Sequence, residues 1–163
     1  MTKNINITSI QAPKAGAQPE KCIFDGFCEL LTRVLFALEE EEWAQEAGWD
    51  IAFRTSVADA DAAWKLVALQ ADELIRVSPL SSSDLLLRRM AGLMKRAISA
   101  TTVGAICDIH AKAMKCRLQA SKALPTAVYD LAFEAEACLE QMFEHAHACE
   151  AHWVDGSILP LAA

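Results

Sequence analysis

Residues 125–153 read PTAVYDLAFEAEACLEQMFEHAHACEAHW, and their spacing decides the fold. Taken every fourth and then third residue, the stretch gives Val128, Ala132, Ala135, Leu139, Met142, Ala146, Cys149 and Trp153. An apolar seam at that spacing is the mark of an amphipathic helix. Burial of such a stripe, more than intrinsic propensity, stabilises a helix, so this one requires other helices packed along its length and is expected to be the central post of the bundle.

The rest of the chain supplies them. Pro19 suits a first helical turn, and Phe24, Phe27, Cys28, Leu31, Val34, Leu35 and Leu38 follow at helical spacing until Gly48. Glu39 to Glu42 place four consecutive acids on that helix, a run expected to face water, and Trp43, Trp49, Ile51 and Phe53 form an expected aromatic corner at its end. Ser56 with Asp59 resembles a capping box ahead of Ala60, Trp64, Val67, Ala71 and Leu74. That helix stops before Pro79, because the residue preceding proline disfavours helical geometry. Ser83 is the expected cap of a third helix, in which Leu87-Arg88-Arg89-Met90-Ala91 is echoed by Met94-Lys95-Arg96-Ala97-Ile98. Thr101 or Thr102 opens a fourth helix, with Val103, Ile106, Cys107, His110, Met114 and Leu118 along its apolar side. Pro125 either starts the fifth helix or kinks one long helix.

These readings give an all-α bundle of about five helices over residues 19–156. A flexible N-terminal arm (1–18) precedes it and a short C-terminal tail (157–163) follows it. Gly and Pro together make only eleven of 163 residues, and Ala, Leu and Glu dominate, which are the residues that lose least on entering a helix.

Composition narrows the function classes. No run approaches the roughly 18 apolar residues that a bilayer span needs, so no membrane role is expected. Six cysteines without a Cys-x-x-Cys pair read as reduced, mostly buried thiols of a cytoplasmic protein. Charge is segregated: residues 20–53 carry nine acids and two bases, residues 81–125 eight bases and two acids, and residues 126–163 seven acids and no base. Acidic and basic helices becoming neighbours, within one bundle or a symmetric dimer, is the expected explanation.

The run Ala71-Asp72-Glu73-Leu74-Ile75, then Pro79, a Ser-rich turn and Asp84-Leu85 ahead of Arg88 and Arg89, resembles small uncharacterised helical proteins of alphaproteobacteria. The likeness spans roughly residues 60–97 and implies no activity.

Three constellations could carry chemistry. His145, Cys149 and His152 lie at i, i+4 and i+7, within about 60° of helix arc, and offer ligands to zinc or another transition metal. Cys107, His110 or Cys116 could supply a fourth donor, and the alternative is that both imidazoles simply flank a helix interface. Glu144-His145-Ala146-His147 contains the Glu-x-x-His of di-iron bundles, but Glu140, Glu144 and His147 fall away from the apolar seam and are expected in solvent. Arg88, Arg89, Lys95 and Arg96, with Lys112, Lys115, Arg117 and Lys122, could track a nucleic-acid backbone. The overall pI of about 5.1 makes that partner unlike a dedicated binder's and favours pairing with acidic helices. Tyr129 and Phe133 lie on the side of the fifth helix away from its seam, so that helix is apolar nearly all round at its start. With no nucleophile motif present and no cofactor expected, the expectation is a non-enzymatic interaction or adaptor module. It would form a homodimer through exposed apolar parts of helices one and five.

Overall fold

The computed structural model describes residues 22–46, 54–120 and 124–155, and for residues 46, 54, 55 and 149–155 it describes the backbone alone. The arm, the tail, Pro19, Gly48 and the corner formed by Trp49, Ile51 and Phe53 lie outside these residues. Five helices follow one another: α1 (Ile23–Glu46), α2 (Arg54–Arg76), α3 (Ser82–Ile98), α4 (Val103–Gln119) and α5 (Thr126–Asp155). The all-α bundle is as the periodicity predicts.

The α5 seam is buried where its side chains are described. Ala132, Ala135 and Leu139 have no exposure, Val128 and Met142 are nearly closed, and Ala146 is half-buried. They meet Phe27, Leu30 and Val34 of α1, Val67 and Ala71 of α2, and Leu87, Met90 and Met94 of α3 in one core. α5 packs against α1, α3 and α4, whereas α3 packs against all four other helices. The shorter α3 is therefore the central element, and α5 is the long strut beside it.

Local chemistry explains the boundaries. Ser81, extended at φ −138°, caps α3: its hydroxyl accepts from the Asp84 N–H at 3.1 Å, and the Asp84 carboxylate accepts from the Leu80 N–H at 3.1 Å. The cap thus sits two residues before the expected Ser83, and only Ser81 has an acid three residues on, whose carboxylate holds the N–H of the residue before the cap. Thr102 caps α4 by accepting from the Ala105 N–H at 3.2 Å. The Pro125 carbonyl accepts from the Val128 and Tyr129 N–H groups at 3.0 and 3.2 Å, so proline opens a separate α5 rather than kinking one long helix. Ser56 lies inside the first turns of α2 and is not its cap.

Gly26 lets α1 approach α2 closely. A Cβ there would lie 2.8 Å from the Leu74 methyl, and the buried Gln70 amide donates to the Gly26 carbonyl at 3.1 Å. No helix among the described residues is long and apolar enough to cross a membrane.

Candidate functional site

Of the three residues that the sequence groups as metal ligands on α5, the structure describes the side chain of His145. His145 is half-buried, and its Nδ1 shares a hydrogen bond with the side-chain amide of Gln45 on α1 at 3.3 Å. His145 borders a half-open cleft of about 330 Å³ with Glu41, Asp61, Trp64 and Met142, and the Trp64 indole N–H donates to Glu41 at 2.9 Å. Glu41 is therefore tied to α2 rather than presented to water like Glu39 and Glu42. The side chains of Cys149 and His152 fall outside the described residues. Among those described, no three His, Cys, Asp or Glu side chains converge as metal ligands. Of the suggested fourth donors, Cys107 is exposed and His110 and Cys116 are half-buried. Glu140, Glu144 and His147 are exposed, as expected of them, and the His147 ring leans on Phe143 with centroids 6.0 Å apart.

The thiols are not mostly buried. Of the five described, only Cys138 is buried; Cys22 and Cys107 are exposed, and Cys28 and Cys116 are intermediate. Cys22 precedes α1 and Cys107 lies off the core side of α4, positions that a generic apolar count does not reveal. Burial, aided by the charge of Glu134, pushes the Cys138 thiol up to about 11, so it stays protonated and unreactive at neutral pH.

The basic quartet is divided. Arg88 and Lys95, seven residues apart, share one flank of α3, and Lys95 pairs with Asp72 of α2. That contact holds the Asp72 carboxyl below its ordinary range. Arg89 and Arg96 share the other flank, towards α4, where both are exposed together with Lys112 and Lys115. Arg89 lines a second cleft of about 170 Å³ between α3 and α4, with Leu85, Leu86, Cys116 and Leu124.

Arg117 serves a different end. Its Nε and Nη2 donate to both carboxylate oxygens of Glu136 at 2.6 and 3.3 Å, and its Nη1 donates to the Tyr129 hydroxyl at 3.0 Å. Its guanidinium lies 5.4 Å from the Tyr129 ring centre and 5.2 Å from that of Phe133. The base expected to contact phosphate is thus the clasp of the α4–α5 hairpin. Spacings of 12, 16 and 19 residues carry no periodic signal, so the sequence did not disclose it.

What the surface offers instead is an apolar strip on α1. Thr32, Leu35, Phe36, Glu39 and Trp43 fall within about 100° of arc, on the side opposite the core residues Phe27 and Val34. Leu35 is 52% exposed, Phe36 53% and Trp43 62%. No family model, curated protein or solved structure matches the chain.

Proposed function

We propose that the protein is an interaction module, without catalytic activity of its own, which works by assembling with a second copy of itself through α1. The observation that carries this reading is the second apolar face of that helix. One side of α1 is already spent on the core, yet Leu35, Phe36 and Trp43 expose about half or more of their surface on the other. Large apolar side chains gathered on an outward helix face mark contact surfaces in soluble proteins. Tyr129, Phe133, Met114 and Leu118 extend exposed apolar area to the α4–α5 hairpin, although Arg117 covers the two rings in part. Cysteines without disulfides among the described residues support a reducing cytoplasmic setting.

Light scattering behind a sizing column tests the reading. Self-association at tens of micromolar, abolished by Phe36→Glu with Trp43→Glu, is the expected result. A strictly monomeric wild-type chain at that concentration refutes it.

A further inference from the structure

Charge segregation in this chain outlasts folding. Of the described bases between residues 81 and 120, only Lys95 and Arg117 meet an acid, in Asp72 and Glu136. Arg89, Arg96, Lys112 and Lys115 remain exposed on the outward side of the α3–α4 hairpin and form no ion pair among the described residues. Glu39 and Glu42 remain exposed beside the apolar strip of α1. Among the described residues, neither Glu39 nor Glu42 forms an ion pair with any of these bases within one molecule.

They also match in shape and polarity. The α1 strip projects Trp43 between acids. The α3–α4 face contains the cleft of about 170 Å³, lined by Leu85, Leu86, Cys116 and Leu124 together with the polar Ser82, Arg89 and Gln119. Such a mixed lining suits an indole, whose ring is apolar and whose N–H is a hydrogen-bond donor. We infer that the occupant of the α3–α4 cleft is Trp43 of a second copy of this chain, with Glu39 and Glu42 set against Arg89 and Lys112. This contact rests on the self-assembly reading above and names its two faces. It joins two different patches, and is therefore heterologous: the smallest product is a dimer with one strip and one cleft still free, and growth closes a ring or continues as a filament.

A mixing experiment tests it. The strip-dead variant carries Glu42→Arg and Trp43→Ala; the cleft-dead variant carries Leu85→Glu and Arg89→Glu. All four positions lie on the surface or at the cleft edge, and circular dichroism checks that each variant keeps its helix content. Each alone is expected to be monomeric at 100 μM, while an equimolar mixture gives a one-to-one dimer that grows no further, because one intact cleft still meets one intact strip. The wild type is expected to grow past the dimer as its concentration rises. If the wild type self-associates but the mixture stays monomeric, the head-to-tail contact is wrong and the assembly reading survives. A monomeric wild type overturns both. If the cleft-dead variant assembles like the wild type and loses only binding to a 30-mer oligonucleotide, the basic face belongs to nucleic acid and the inference falls.

Discussion

Arg117→Met offers the sharpest test of the packing described for the α4–α5 hairpin. In the folded chain the side chains of Arg117 and Glu136 are only 14% and 11% exposed, and two charge-assisted bonds join them. Methionine keeps the apolar stem and the helix propensity, so the change removes the guanidinium with its bonds and its contacts to the Tyr129 and Phe133 rings. Glu136 then keeps a carboxylate in a site that water barely reaches. Breaking a fully buried pair from one side costs about 3–5 kcal/mol. This pair has one solvent edge, so about 2–3 kcal/mol is expected. The reverse change, Glu136→Leu, should cost less, about 1–2 kcal/mol, because Arg117 retains the Tyr129 hydroxyl and two ring faces. The double variant replaces a buried pair by apolar side chains of similar size and should return to within about 1 kcal/mol of the wild type. Urea unfolding of all four chains at low micromolar concentration, where association contributes least, gives the coupling energy directly. The reasoning fails if Arg117→Met costs under about 0.5 kcal/mol, or if the double variant costs as much as the sum of the singles.

Four further outcomes follow from the same geometry. Mass mapping after treatment with a thiol reagent at pH 8 should find Cys22 and Cys107 labelled in the native state and Cys138 labelled only after unfolding. Because burial raises the Cys138 pKa from 9.0 to about 11, the unfolded chain ionises this thiol first; its contribution to stability is intact below pH 9 and falls away between pH 9 and 11, a decline that Cys138→Val should lessen. Gly26→Ala gains about 1 kcal/mol of helix propensity but sets a Cβ 2.8 Å from the Leu74 methyl, so unfolding curves should show a net loss of about 1 kcal/mol, whereas Gly92→Ala, with nothing within 4 Å, should stabilise. Ser81→Ala should cost about 1 kcal/mol in a melting experiment and Ser83→Ala much less, which separates the observed cap from the neighbouring serine.

The bundle was legible because burial imposes a period. Val128, Ala132, Ala135, Leu139 and Met142 had to share a face, and they are buried together. Which helix would be central was not legible, since a stripe shows that a helix is covered without showing by how many neighbours. The wide apolar side of α3, with Leu86, Leu87, Met90, Ala91, Leu93, Met94 and Ala97 all buried, is the trace of its position. The candidate sites were less legible. His145 could be placed on a face of α5, but its bond to Gln45, one hundred residues away, depends on how two helices meet. Arg88 and Arg89 look equivalent as neighbours in sequence, yet 100° of helix turn sends one towards α2 and the other towards α4. The exposed α1 strip was readable in part: Leu35 was assigned to the core side, and it projects 52% exposed on the opposite side instead. The first helix is apolar widely enough that its period alone admits two faces.

Salt dependence decides how the charge pattern acts in assembly. The chain carries a formal −7, so two copies repel at long range, and on that ground alone added salt should promote association. The docking contact predicts the opposite, because it brings Glu39 and Glu42 of one copy within contact distance of Arg89 and Lys112 of another. The Debye length falls from about 30 Å at 0.01 M to about 10 Å at 0.1 M ionic strength. Net repulsion, which acts across whole molecules, is therefore largely screened by 0.1 M, while pairs a few ångströms apart at an interface persist longer. Association is expected to strengthen or stay level up to about 0.1 M and then to weaken steadily towards 1 M, where the length is about 3 Å. Sedimentation across that range distinguishes the cases. A dissociation constant that keeps improving beyond 0.3 M would mean that apolar burial alone holds the copies together and that Glu39, Glu42, Arg89 and Lys112 are spectators.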